Sequence, residues 1–336
     1  MMRPRLSFAM AAAKTLHVFD ERLYNRLSAC CEILSKTPME DFTTPQARAQ
    51  LAVTDILVTG WGAPFVNTEV LPLAPRLRLI AHAAGTVKYT VGDAVYAAGI
   101  AVTNAAAANA VPVAEYTLAA IIFANKRLFE LRDIYRKDCD RRATWALMNE
   151  PIGNYRRTVG LIGASRIGRK VAELLEVLDV EVLLYDPYVT ADDPVTAQAR
   201  PVDLQTLLRE SDTISLHAPA LPATRHMIGA EQFALMRDGA TFINTARGML
   251  VDHDAMIDEL ATGRINAIID VTSPEVLDPG SPLYTLPNVF LTPHAAGAGG
   301  LERLRLGEMA VEEIERFVSG RPLEHAIEPH LLERLA

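Results

Sequence analysis

Val159-Gly-Leu-Ile-Gly-Ala-Ser-Arg-Ile-Gly168 decides the architecture of this chain of 336 residues. An apolar run from Thr158 to Ile162 enters a glycine turn and then a helical stretch, and Leu183-Leu-Tyr-Asp186 ends the next strand 18 residues beyond Gly168. Strand, tight turn, helix and parallel strand make a βαβ unit. Gly163 permits the turn, and Gly168 permits the helix to approach the strand closely. The first helical N–H groups, near Arg166 and Ile167, point to where a pyrophosphate sits on such a helix end. A carboxylate at Asp186 accepts from two ribose hydroxyls and repels a 2'-phosphate, so the motif reads as a site for NAD in preference to NADP. Ser165 stands where the usual fingerprint has its middle glycine; serine is small, and its hydroxyl has a proton to donate to phosphate.

Outward from this unit the pattern continues. Thr213 to His217, Thr241 to Asn244, Ile265 to Val271 and Val289 to Thr292 join Thr158 to Ile162 and Glu181 to Tyr185 as six strands of a doubly wound sheet. Upstream, Leu6 to Met10, Cys31 to Leu34, Asp55 to Thr59, Leu77 to Ala81 and Ala101 to Thr103 read as a smaller five-stranded α/β domain. A long helix starts near Val113, with Pro112 suited to its first turn, and crosses between the domains. A last helix, Leu301 to Val318, follows the turn Gly297 to Gly300, ends at Gly320 and returns to the first domain. The predicted division is therefore 1–112 with 300–336, and 113–299.

Composition narrows the function. Half of the residues are apolar and 22% are charged, which is the composition of a folded globular chain. Acidic residues outnumber basic ones 41 to 33 for a formal charge of -8, and no long basic block occurs, so a nucleic-acid partner is not expected. Three cysteines, the adjacent Cys30 and Cys31 and a separate Cys139, supply neither a disulfide framework nor a paired metal motif. The expectation is no metal and a reducing cytoplasm. Arg3 and Arg5 before an apolar run ending at Ala13 imitate a signal peptide, but the run is short and poor in leucine and reads as an opening strand. Ala94 to Ala114 lacks charge, yet Gly99, Asn104, Asn109 and Pro112 break it into strand, loop and helix start, so no membrane association is expected.

Three further segments carry chemistry: Ile243-Asn-Thr-Ala-Arg-Gly248, Asp270-Val-Thr-Ser-Pro-Glu275 and Leu291-Thr-Pro-His-Ala-Ala-Gly297. Arg247, Glu275 and His294 each fall at or after the carboxyl end of a strand, where ligands bind in open α/β sheets. With the fingerprint and the strand end Leu216-His-Ala-Pro219, these segments resemble the D-isomer-specific 2-hydroxyacid dehydrogenases over nearly the whole chain. The resemblance implies a flavodoxin-like substrate domain and a Rossmann NAD-binding domain. It implies Arg247 as the clamp on a substrate carboxylate, His294 as the general acid/base and Glu275 as its partner. Each role has a reason. A guanidinium fork fixes a 2-keto acid by two parallel hydrogen bonds. Hydride delivery to C2 builds charge on the carbonyl oxygen, which an imidazolium relieves by giving a proton, and a carboxylate beside it favours the protonated ring.

The same resemblance places Asp270, Thr245, Ala246, His217 and Pro219, with Arg247 and His294, at the cofactor. It places Trp61, Gly62, Ala84, Gly85 and Thr86 at the substrate, the last three within Ala83-Ala-Gly-Thr-Val87. Lys88 and His82 are the cationic candidates nearby; several more would be needed for a phosphorylated acid, so a small or apolar keto acid is expected. The resemblance also implies that the long, charged stretch from Asn125 to Tyr155, which is not needed for either sheet, embraces a second subunit in a homodimer. The competing reading is an NAD(H)-sensing, corepressor-like or scaffold binding protein of the same fold. Formate dehydrogenase, a third reading, carries a glutamine where this chain has Glu275.

Overall fold

The computed structural model describes residues 3–328. The chain forms two compact units, one running up to Asn109 and resuming at Ala298, the other from Ala110 to Gly297. The sequence reading divides the chain slightly later, after 112 and 299, and residues 1–2 and 329–336 of that division lie outside the described residues. The difference at the first boundary arises in one helix. It spans Ala106–Asn125 and contains Pro112 in its interior, so it begins well before the expected start at Val113. An alanine-rich first turn favours helix strongly enough to run through the proline, and the Asn104 side chain accepts the Ala106 N–H at 3.3 Å to open it. By length and hydropathy this helix is long and apolar enough to cross a membrane. Its Ala114, Ala120, Ile121 and Ala124 are buried in the core of the second unit.

The first unit holds β1 (Arg5–Ala9), β2 (Glu32–Ile33), β3 (Ile56–Thr59), β4 (Leu79–His82) and β5 (Ala101–Asn104), all parallel in the order 2-1-3-4-5. That is the flavodoxin-like order. β3 and β4 are buried along their whole length, as strands covered by helices on both faces must be. The helix Arg303–Val318 sets Leu306, Ala310, Val311 and Ile314 into the core beside Leu6, Phe8, Leu23 and Leu27. Its approach depends on Gly307, where a Cβ would stand 1.9 Å from the Val18 carbonyl oxygen.

The second unit holds β6 (Arg157–Ile162), β7 (Val180–Tyr185), β8 (Arg200–Pro201), β9 (Thr213–Leu216), β10 (Thr241–Asn244), β11 (Asn266–Ile269) and β12 (Val289–Leu291). Their order is 12-11-10-9-6-7-8 and every pairing is parallel. The strand order reverses at β6, which has β7 on one side and β9 on the other, and this is the switch point where dinucleotides bind. β8 is absent from the sequence reading because two residues, one of them a proline, carry no periodicity and suit only a sheet edge.

Candidate active site

The glycine turn after β6 is built by close contact. Gly163 has φ +101°, and a Cβ on it would meet the Ala218 nitrogen at 2.6 Å; a Cβ on Gly168 would meet the Gly163 oxygen at 2.1 Å. Only glycine fits either position. Ser165 needs no such freedom, since its φ is -64° and ψ 174°. Its hydroxyl caps the helix Arg166–Leu175 by accepting the Gly168 N–H at 3.3 Å, and the first-turn N–H groups of Arg166 and Ile167 have no carbonyl within the helix to bond. The hydroxyl's own proton remains available for an anion. The turn therefore fits a pyrophosphate against backbone N–H groups.

At the end of β7 the Asp186 carboxylate is fixed by two backbone donors, Ala164 N–H at 2.7 Å and Tyr188 N–H at 2.9 Å. Each oxygen retains a further lone pair for a ribose hydroxyl. His217, after β9, lies beneath the glycine turn with only 4% exposure; its Nε2 meets Ser215 Oγ at 2.9 Å, and its Nδ1 has no partner among the described residues. Burial pushes this imidazole down to about 3, so it is neutral. Pro219 is half-buried and its carbonyl accepts from Thr224 Oγ1 at 2.6 Å. Thr245 and Ala246 are buried after β10, Thr245 Oγ1 lying 3.2 Å from Thr117 Oγ1 and the Ala246 N–H donating to Asn244 Oδ1 at 3.0 Å.

Glu275 and His294 meet, with Glu275 Oε1 at 2.5 Å from His294 Nδ1. The contact orients the ring with Nε2 away from the carboxylate, the geometry in which one nitrogen is held and the other is free for chemistry. His294 has φ +56°, a left-handed conformation that few non-glycine residues adopt. Asp270 holds it there. The 2% exposed Asp270 carboxylate accepts from Thr292 Oγ1 at 2.6 Å, Ala295 N–H at 2.7 Å and Ala296 N–H at 3.0 Å, and its backbone oxygen accepts the His294 N–H at 2.8 Å. Tyr116, 176 residues away in sequence from Thr292, continues the chain with its hydroxyl 2.8 Å from Thr292 Oγ1. The aspartate read as a cofactor contact is thus also the anchor of the histidine loop. Nothing in the sequence pointed to Tyr116.

Arg247 follows β10, half-buried, with Nη1 donating to its own neighbour's carbonyl, Ala246 O, at 2.6 Å. Among the described residues no carboxylate pairs with it, so its fork is available to an anion. In the first unit, Trp61 follows β3 and lies with the Arg303 guanidinium 5.5 Å from its ring centre. Gly62 is exposed, Ala84 buried, and Gly85 and Thr86 half-exposed. His82 ends β4 with 2% exposure and Nδ1 at 2.9 Å from Thr59 Oγ1. Burial pushes it down to about 4, which removes it as a cationic contact at neutral pH. Arg303 is a nearby cation that sequence reasoning overlooked, because only the fold brings residue 303 to residue 61.

Residues 118–296 match the model of the D-isomer-specific 2-hydroxyacid dehydrogenase NAD-binding domain. A glyoxylate reductase of Korarchaeum cryptofilum is 36% identical over 258 residues, 76% of this chain and 77% of that protein. A D-3-phosphoglycerate dehydrogenase of Archaeoglobus fulgidus is 32% identical over 264 residues, but the match spans only 49% of that longer relative. A solved structure from Thermus thermophilus, 28% identical, superposes with a TM-score of 0.75 over 96% of this chain and 100% of that one. The chain belongs to the D-isomer-specific 2-hydroxyacid dehydrogenases, NAD-dependent oxidoreductases that act on CH–OH groups.

Proposed function

We propose that the protein interconverts a small 2-keto acid and its D-2-hydroxy acid, with Arg247 as carboxylate clamp, His294 as acid/base and Glu275 as its partner. The observation that carries this reading is the Glu275–His294 contact at 2.5 Å, supported by Arg247, which pairs with no carboxylate among the described residues. Bound NADH supplies the hydride that goes to C2. Arg247 grips the substrate carboxylate through its planar fork and so limits how the keto group can turn. His294 gives the Nε2 proton to the carbonyl oxygen during reduction and takes it back during oxidation. Glu275 accepts the Nδ1 proton's hydrogen bond throughout and offsets the positive charge of the protonated ring. Glu275 and His294 are both substantially exposed, at 60% and 47% of their side chains, so solvent exchanges the proton between turnovers.

A small acid is favoured over a phosphorylated one. Ala83, Ala84 and Val87 are buried and His82 is neutral, so the segment from 82 to 88 offers Lys88 as its one cation. The relatives' names are those of reductases and dehydrogenases, which favours an enzyme over an NAD(H)-sensing binding protein. Three free thiols, Cys30, Cys31 and Cys139, support a reducing cytoplasm as its compartment. A panel of 2-keto acids, glyoxylate included, followed by the loss of NADH absorbance tests the reading. His294→Ala is expected to lower kcat by about 10²–10⁴ with NADH binding retained, the usual worth of positioned acid/base catalysis. Arg247→Ala is expected to raise KM and depress kcat/KM together. Near-normal turnover in His294→Ala would overturn the mechanism.

A further inference from the structure

The loop that carries Glu275 is braced from within and from without. Inside it, Thr272 Oγ1 donates to the Pro274 carbonyl at 2.8 Å and the Glu275 carbonyl at 3.1 Å. From outside, a half-buried histidine that opens the helix His253–Ala261 reaches it: the Ser273 N–H donates to His253 Nε2 at 3.1 Å. The other ring nitrogen, Nδ1, lies 3.2 Å from the Val251 carbonyl oxygen. One nitrogen donating to a carbonyl while the other accepts an N–H defines the neutral ring protonated on Nδ1.

The far side of this bridge belongs to the Arg247 segment. Val251 donates its N–H to the Gly248 carbonyl at 3.0 Å, and Gly248 follows Arg247 directly. A Cβ on Gly248 would stand 2.1 Å from the Thr272 carbonyl carbon and 2.5 Å from the Ser273 nitrogen, so the two backbones are in contact there. His253 therefore ties the turn that presents Arg247 to the loop that presents Glu275.

We propose that His253 is a positioning residue for the Glu275–His294 pair, accepting the Ser273 N–H and thereby fixing the loop from Thr272 to Glu275. The inference rests on the acid/base reading above and adds a proton-sensitive support to it. A proton on Nε2 turns the acceptor into a second donor facing the Ser273 N–H, and the brace is lost. Burial holds His253 below its ordinary value of 6.5 and His226 adds to that effect, against the opposing hydrogen bond to the Val251 carbonyl and the charges of Asp252 and Asp254. The brace is present while the ring is neutral and is lost as pH falls through the lowered value of His253.

The experiment compares wild type, His253→Leu, His253→Gln and His294→Ala by kcat and KM for keto-acid reduction with NADH between pH 5 and 8. His253→Leu is expected to lower kcat about 10-fold at pH 7.5 with NADH affinity unchanged, somewhat less than the ~10²-fold that a misplacement of about 1 Å can cost. His253→Gln, whose amide oxygen accepts an N–H and does not titrate, is expected to restore most of kcat and to carry its acidic limb at lower pH than wild type. Should His253→Leu fail to fold by circular dichroism, the acidic limb of His253→Gln decides alone. An acidic limb in His253→Gln that coincides with the wild type's, with His294→Ala inactive, overturns the positioning role and leaves the acid/base reading standing. An active His294→Ala overturns that reading, and the inference with it.

Discussion

Asp186 illustrates how one side chain serves both fold and selectivity. Its two oxygens hold the Ala164 and Tyr188 N–H groups, which locks the carboxylate beside the glycine turn and fixes a negative charge at the ribose end of the site. A 2'-phosphate brought there meets a charge that cannot swing away. NADH is expected to be used far more efficiently than NADPH, and Asp186→Ser should narrow the gap by removing the repulsion. Comparison of kcat/KM for the two cofactors checks this, and equal efficiency in the wild type would refute it. His294 shows the converse: its φ of +56° is strained, and the strain is maintained by four hydrogen bonds to Asp270 from its own loop and Thr292.

At the scale of the element, the helix Arg166–Leu175 begins on a serine where the family fingerprint has glycine. Ser165 occupies ordinary extended backbone and contributes an N-cap that glycine lacks. Ser165→Ala is expected to cost about 1 kcal/mol and Ser165→Gly only a few tenths, because glycine tolerates the cap backbone and leaves the N–H groups open to water. Scanning calorimetry should place Ser165→Ala roughly 2–4 °C below wild type for a unit of this size. A melting temperature equal to the wild type's would remove the cap as a stabilising contact.

Two properties belong to the whole molecule. His82 and His217 are neutral in the fold, held down to about 4 and about 3 by burial, whereas the unfolded chain binds a proton on each near 6.5. Below that value the unfolded state holds more protons, so stability falls with pH by up to about 1.4 kcal/mol per unit for each histidine until the folded values are approached. Melting temperatures should drop between pH 6.5 and 5, and His82→Gln or His217→Gln should flatten that slope; parallel slopes in wild type and variants would contradict it. The second property is assembly. The helix Leu128–Asp138 packs on the second unit through Phe129, which stacks on Phe290 of β12 at 4.4 Å and is the point where the stretch does meet a sheet, while Tyr135, Trp145, Met148 and Tyr155 are all more than half exposed in the stretch expected to form an arm. Such a surface suits a second copy of the chain. Light scattering at micromolar concentration should return twice the 36.7 kDa of one chain, and a monomeric mass would exclude the arm.

Much of this was legible in the residues alone, wherever the governing physics is local. Strand β10 lies where its apolar run predicts, from Thr241 to Asn244, and Gly163 and Gly168 sit where turn and packing demand them. The alternation of strand and helix followed from the βαβ pattern, and with it the placing of Arg247, Glu275 and His294 at or after carboxyl strand ends, whereas the order of the strands came from the fold. What the tertiary structure decided is everything that depends on distant atoms coming within hydrogen-bond reach. Asp270 became the anchor of the His294 loop, Tyr116 joined it across 176 residues, and His82 lost its charge to burial. His253 met Ser273 across 20 residues, and the helix through Pro112 started at Ala106. Periodicity and motif report which face a residue takes, but desolvation and hydrogen-bond partnership are set by neighbours that only the folded chain supplies.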